Sequence, residues 1–443
     1  MATSPHRPPA GLSRRSLLGG AAALAAVPLL SSCVGFNTSG GKAGSLDFLS
    51  TQFTPVEEKQ RFEKVLADAK VNAAYNAVEG NVFASTLTSQ AEAGSVQVSL
   101  AGAMHGELAP LADRFTDVDG LLKGKLAQAE YPKDLLELAK AGGSTAKYIP
   151  WMQASYVVAV HKRALEWLPS GADVNSLTYD QYLDWAIAAR KANGSPVFGF
   201  PAGPDGLYAR FVQGHLLPSF TGGQVTTFRS ADAIDAWKYM KELWANFVPA
   251  STNYDNMQEP LAKGEVMVAW DHIARIIEAP KGNPDEWLLV PSPKGPKGLG
   301  YMLVVAGLAI PDGAPDPDGA TDAILSLSEP DVQIEVLKQN TFFPVSVTEL
   351  PDDLEGATKL AAEAITAQRE AKDAIMALPP VGTGERDGEV TAVFQNSFRQ
   401  ICLDDRSIKS VVDEQAAELQ SILDDLKIPC WAPDPAEAVC EVG

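Results

Sequence analysis

The stretch that decides the fold runs from Ser45-Leu46-Asp47-Phe48-Leu49-Ser50 to Val96-Gln97-Val98-Ser99-Leu100-Ala101. Ser45–Ser50 is a short apolar run that reads as a buried strand, and Val56–Ala69 has the apolar spacing of an amphipathic helix. Val71–Val78 then reads as a strand, Val82–Ala93 as a helix and Val96–Ala101 as a strand again. Strands alternating with helices predict an α/β fold with a parallel sheet covered on both faces.

A second unit starts near Ala146-Lys147-Tyr148-Ile149-Pro150, with Tyr156–Val160 as its first strand. Thr178 and Gln181 form a capping box that opens a helix running to about Lys191 and stopping at Asn193-Gly194. Another helix follows Ser230, with Ile234, Trp237 and Trp244 on one face. Met302–Ile310 reads as one apolar strand, Pro311–Gly319 as a loop, and the last hundred or so residues as mostly helical. Asp312, Asp316, Asp318 and Asp322 lack EF-hand spacing and a closing Glu, so helix caps and turns explain them better than a metal.

Upstream of the alternating pattern lies an export signal. Arg14-Arg15 precede an apolar run, Leu17–Leu30, which is too short for a permanent span and ends at Leu30-Ser31-Ser32-Cys33. The paired arginines resemble a twin-arginine signal, with the general route left open, and Leu30–Cys33 resembles a bacterial lipobox. The chain is thus expected to lose residues 1–32, to carry lipid on Cys33 and to sit at the extracytoplasmic face of the cell membrane. Residues 33–44 form a flexible tether. The alternative is a soluble secreted protein in which Cys33 is incidental.

The full chain of 443 residues has 36 Lys+Arg against 56 Asp+Glu. Removing residues 1–32 takes three arginines and no acids, leaving a net charge of −23. Such a surface disfavours nucleic acid and repels anionic lipids and solutes, although solubility alone also accounts for it. With Cys33 lipidated, Cys402, Cys430 and Cys440 remain in an oxidising compartment. Cys430 and Cys440 flank a short Pro-rich tail and are the favoured pair, leaving Cys402 as a buried free thiol. No cysteine has metal-ligand spacing.

An ordered series of segments runs through nearly the whole mature chain: Ala93-Gly94-Ser95, Gly106-Glu107-Leu108-Ala109-Pro110-Leu111, Tyr148-Ile149-Pro150 leading into Tyr156–Lys162, and the helix capped at Thr178. Leu261–Trp270, Pro291–Pro296 and Phe343-Pro344 follow. In this order they resemble the extracellular solute-binding proteins of sugar-type ABC importers, the maltose-binding class. The resemblance implies a two-lobed periplasmic-binding-protein fold, type II-like, with hinge-crossing strands and a helical C-terminal region. It assigns 45–150 and 291–342 to an N-terminal lobe, and 151–290 and 343–443 to a C-terminal lobe. It also implies a small solute, carbohydrate above all, delivered to ABC permease subunits, with no cofactor. Val160-His161-Lys162 stand where many members carry Tyr-Asn, so no one member's substrate is carried over.

A sugar needs aromatic plates and side chains that donate and accept hydrogen bonds. Burying roughly 100 Å² of sugar face stabilises binding by about 2.5 kcal/mol per plate. Strand ends and family position nominate Gln52, Phe53, Met104 and His105 from the first lobe. From the second and the crossings come Trp151, Gln153, Tyr156, Tyr208, Trp270, Asp271, Tyr301 and Phe343. Trp270 is weighed against core packing, and Asp271 against a helix N-cap for Ala274–Glu278. No Gly-x-Ser-x-Gly elbow, His-Glu-x-x-His or phosphate-binding loop is present, which argues against an enzyme. A surface glycoside hydrolase using a carboxylate pair, an adhesive lipoprotein, and a polyol or glycerophosphodiester ligand stay open as alternatives.

Overall fold

The computed structural model describes residues 45–346, 350–351, 354–436 and 439–443; the expected export signal, the tether and Cys33 lie outside them. Twelve strands are β1 Leu46–Ser50, β2 Ala73–Ala77, β3 Leu100–Met104, β4 Ile149–Ala154, β5 Tyr156–His161, β6 Phe198–Gly199, β7 Val268–His272, β8 Trp287–Val290, β9 Leu299–Met302, β10 Val304–Ala309, β11 Phe343–Pro344 and β12 Ala374–Ala377. The first sheet has the order β11-β4-β10-β3-β1-β2. In it β1 is parallel to both neighbours, and β10 runs antiparallel between β3 and β4. The second sheet, β6-β7-β5-β8, is joined by a parallel pair, β12-β9. Each sheet is the frame of one lobe.

The first lobe packs on Phe62, Val65 and Leu66, which the helix Val56–Asp68 buries on one face. Phe62 meets Phe48, Tyr75 and Trp151 with ring centroids 6.3, 4.8 and 5.6 Å away. In the second lobe the helix Tyr179–Asn193 has the expected capping box. Gln181 N donates to Thr178 Oγ1 at 3.2 Å, and Thr178 N to Gln181 Oε1 at 3.0 Å. It ends on Gly194, whose φ of 77° is the left-handed C-cap that glycine adopts without strain. Its Trp185 is buried, and Nε1 donates to Ala164 O at 2.9 Å. Trp237 is buried in the helix Ala231–Trp244, whereas Ile234 and Trp244 are half-buried at its edge.

Several sequence boundaries move. The strand expected at Val96–Ala101 begins at Leu100 because Gln90 Oε1 accepts from Gln97 N and Val98 N, at 2.8 and 3.3 Å, and keeps those amides out of the ladder. Met302–Ile310 is two strands in two sheets, broken at Leu303. The loop expected to reach Gly319 instead ends at Asp316, which caps the helix Pro317–Leu327 through Gly319 N at 2.9 Å.

The lobe edges shift for the same reason. β4 stays in the first sheet through Ala154: the register shifts between Ala306 and Gly307, passing over Trp151 and pairing Pro150 with Gly307, and the ladder continues. The chain therefore crosses at Ser155 rather than Pro150, at Leu303 rather than 290/291, and after Pro344 rather than Phe342. A buried knot ties two of these crossings. Ser155 Oγ donates to Met302 O at 2.8 Å. Gln368 Nε2 donates to Ser155 Oγ at 3.0 Å and Tyr156 O at 3.2 Å, and Ser292 N donates to Gln368 Oε1 at 3.0 Å.

The C-terminal region is helical through Asp387–Phe398 and Ile408–Leu426. Cys430 and Cys440 are disulfide-bonded, with Cα atoms 4.5 Å apart. Nearby, Asp434 accepts from the amides of Gln224, Val225 and Thr226 at 2.7, 3.1 and 2.9 Å. Cys402 is free but half-buried rather than sealed, and burial pushes its thiol up to about 12. Among the described residues no group of side chains could hold a metal ion, and no helix is long and apolar enough to cross a membrane.

Candidate functional site

A cavity of about 710 Å³ opens at the C-terminal end of β3, beside the start of the helix Gly80–Glu92, where open α/β sheets present their ligands. Both lobes contribute to its wall. From the first come Asn81, Ser85 and Thr88, on one face of the helix Gly80–Glu92, with Met104, His105 and Glu107 around the short helix His105–Leu108. From the second come Tyr156, Arg210, Thr383 and Asp387. The crossing segment Leu303–Val305 and the run Leu378–Pro380 supply an apolar surface between them.

Glu107 is held by its own turn. Its Oε2 accepts from Thr51 Oγ1 at 2.6 Å and from Met104 N at 2.9 Å. Burial raises its carboxyl above the usual range; the bonds from Thr51 and Met104 oppose that, and Asp387 and Glu79 add to it. His105 pairs Nδ1 with the Tyr148 hydroxyl at 2.7 Å. Burial lowers this imidazole to about 4, so the ring is neutral near pH 7.

Across the cavity, Tyr156 lies on Trp270 and has its hydroxyl pushed up to about 12 by burial. Arg210 Nη1 donates to Gln213 Oε1 at 3.0 Å, and its Nη2 meets Asp387 Oδ2 at 3.3 Å. Thr383 Oγ1 donates to the other oxygen of Asp387 at 3.2 Å. Tethered carboxylates, a guanidinium, hydroxyls and one aromatic face can hold a small polar solute through hydrogen bonds and one stacking contact.

Of the residues nominated from sequence, Met104, His105 and Tyr156 line this cavity. The others lie elsewhere, for identifiable reasons. Gln52 is buried and donates to Thr51 Oγ1 at 3.0 Å. Phe53 packs on Phe62 and Phe342, 4.8 and 5.5 Å away. Trp151 is sealed against Phe62, Gln153 donates to Pro344 O at 2.7 Å, and Phe343 pairs with Gln153 at the sheet edge. Tyr208 turns to Phe398, 5.1 Å away, and Tyr301 pairs with Met376 in the β12-β9 sheet.

Trp270, 2% exposed, stands behind Tyr156 in a cluster with Phe211 and His215. Asp271 is also interior. It accepts from Met257 N at 3.0 Å and His272 N at 2.7 Å, and burial pushes its carboxyl up to about 7. His272, not Asp271, caps the next turn, through Ala274 N at 3.3 Å.

Sequence reasoning passed over Asn81, Ser85, Thr88, Glu107, Arg210, Thr383 and Asp387. A signal existed for some of them. Asn81, Ser85 and Thr88 recur at helical spacing on a face with no apolar stripe, and Thr383 and Asp387 are four apart beyond a Gly-containing turn.

Comparison with known proteins fits this geometry. No curated protein sequence matches the chain. Maltose-bound MalE3 of T. maritima is 17% identical, with a TM-score of 0.66 over 86% of this chain and all of that one. The sugar-binding protein MalE of Xanthomonas citri is 16% identical, with a TM-score of 0.68 over 86% of this chain and 98% of that one. UgpB of Mycobacterium tuberculosis, in complex with glycerophosphocholine, is 15% identical, with a TM-score of 0.64 over 87% and 99%. These likenesses establish the two-lobed fold. The family profile of bacterial extracellular solute-binding proteins matches residues 54–334, which is more than half of the sequence. The chain belongs to the bacterial extracellular solute-binding proteins, and its work is binding rather than catalysis.

Proposed function

We propose that this protein captures a carbohydrate in the cavity between its lobes and passes it to the permease of an ABC importer. Lipid on Cys33 holds it at the outer face of the cell membrane. The observation that carries the reading is the make-up of the cavity. Hydroxyl and amide groups of Asn81, Ser85, Thr88 and Thr383 meet the Tyr156 ring and an apolar floor, the mixture a sugar's hydroxyl rim and C–H faces require. Contacts from both lobes to one ligand favour the closed form, and the permease reads that closed shape.

Arg210 favours a second reading, a glycerophosphodiester, because a guanidinium binds phosphate bidentately. Asp387 already engages that guanidinium, so a phosphate has to displace it; carbohydrate stays first. A melting-temperature screen of the mature protein against mono- and oligosaccharides, polyols and glycerophosphocholine tests both readings. An upward shift with a saccharide supports capture of carbohydrate. A shift with glycerophosphocholine alone replaces it with the second reading. Labelling with radioactive palmitate in a bacterial host, lost in Cys33→Ala, tests the anchor.

A further inference from the structure

The charges around the cavity do not balance, and the imbalance has an address. Among the described residues lining it, the charged side chains are Glu107, Arg210 and Asp387, while His105 is neutral. Arg210 and Asp387 satisfy each other at 3.3 Å, so Glu107 is left without a counter-charge. Only one of its oxygens is occupied: Oε2 takes both Thr51 Oγ1 and Met104 N, and no donor among the described residues reaches Oε1.

The position of that oxygen depends on a glycine. Gly80 also lines the cavity, and a Cβ there would sit 2.6 Å from Glu107 Oε1. Two further polar side chains stand at the same cavity almost wholly buried. His105 is 7% and Tyr156 4% exposed, and neither His105 Nε2 nor the Tyr156 hydroxyl has a partner among the described residues. These are separate signs of a polar ligand.

We propose that Glu107 is the specificity-determining residue of this cleft and that the solute it selects carries a protonated amine, as an amino sugar or an aminated oligosaccharide does. The proposal rests on the carbohydrate reading above and narrows it. A neutral sugar can offer Oε1 a hydroxyl but leaves a carboxylate charge enclosed without compensation, which is costly at low dielectric. An ammonium supplies the donor and the missing charge together in one charge-assisted hydrogen bond. Glu79 and Asp387 add to the negative field at Glu107, so the site disfavours an anion there. The acidic surface of the mature chain draws cations towards it.

Calorimetric titration of the mature protein at pH 6 with a β-1,4-linked glucosamine disaccharide, its di-N-acetyl form and maltose tests this. The amine-bearing disaccharide should bind about tenfold or more tighter than the other two, with an advantage that shrinks as salt is added. Glu107→Gln should abolish that advantage. The wild-type comparison of free amine against N-acetyl form overturns the proposal by itself if the amine has no advantage, and Glu107→Asp, which keeps the charge, should keep that advantage where Glu107→Gln fails to fold. Equal or weaker binding of the amine, or a preference that survives Glu107→Gln, overturns the proposal while leaving carbohydrate capture standing. Failure of every saccharide to bind removes the carbohydrate reading and this inference with it.

Discussion

The phenol ring of Tyr156 lies flat against the indole of Trp270, with centroids 4.9 Å apart and planes 6° from parallel. Tyr156 meets the cavity and Trp270 does not, so the tryptophan acts as a backing plate that fixes the tilt of the ring in front of it. Trp270→Ala should cost about 3–5 kcal/mol of stability, as large-to-small core changes do, and should weaken solute binding only indirectly. Chemical denaturation read alongside ligand titration checks this. A variant of unchanged stability would place Trp270 outside the core.

Tyr156→Phe separates the hydroxyl from the ring. The stack on Trp270 survives, so the melting temperature should stay near that of the parent. Binding of a hydroxyl-rich ligand should weaken by about 0.5–1.5 kcal/mol, the net worth of one hydrogen bond. Parallel calorimetry on parent and variant measures the difference.

Gln368 ties the crossing at Ser155 and Tyr156 to Ser292 through three hydrogen bonds and is 1% exposed. Gln368→Ala should cost roughly 2–3 kcal/mol by leaving buried partners unsatisfied. It should also speed amide exchange at Ser292, whose N–H has lost its acceptor. Hydrogen-exchange mass spectrometry on the peptide containing Ser292 reads this out.

His215 is fully buried, and burial lowers its imidazole to about 3. Between an unfolded value near 6.5 and that figure, the unfolded chain binds the extra proton. The stability contributed by neutral His215 is therefore intact above about pH 6.5 and falls by up to ~1.4 kcal/mol per pH unit as acid is added. His105 and His272, each lowered to about 4, act in the same direction down to that pH. Asp271, raised to about 7, acts oppositely: its contribution is full below the ordinary carboxylate range and is lost as pH rises through 7. Glu107, Asp47 and Glu58, also raised by burial, join Asp271 in opposing the three histidines, so the check is a difference between proteins: from pH 6.5 to 4 the urea midpoint should fall less steeply in His215→Gln than in the parent.

The bond between Cys430 and Cys440 closes a short loop. Replacing both cysteines by serine should cost roughly 2–3 kcal/mol on the chain-entropy account. Urea unfolding of parent and double variant, with the parent repeated under reductant, supplies the comparison.

The amphipathic spacing of Val56–Ala69 and the capping box at Thr178–Gln181 were legible because local periodicity and capping chemistry are written into consecutive residues. The boundary at Leu303 was not, because Met302 and Val304 are equally apolar and only the tertiary structure sends them to different sheets. Rings were the misleading signal at the site. Trp151, Trp270 and Phe53 satisfy a search for plates, yet each is consumed by its own lobe's core, and composition cannot distinguish a ring facing a cleft from one facing another ring. Glu107 stood inside a segment already noted for its order in the chain, but the role proposed for it depends on Thr51, Gly80 and Asp387, which are far from it in sequence.

The tie among Ser155, Met302 and Gln368 meets the cavity at Tyr156, whose carbonyl Gln368 holds, and shares no residue with the polar wall at Asn81, Ser85, Glu107 and Asp387. Side chains of the polar wall can thus be exchanged without touching the tie, whereas a change at Tyr156 touches both. Such a scaffold suits conversion into an optical sensor: exchanging side chains along Gly80–Glu92 should retune which metabolite is reported, and a dye beside Ser155 would read the proposed closure of the lobes.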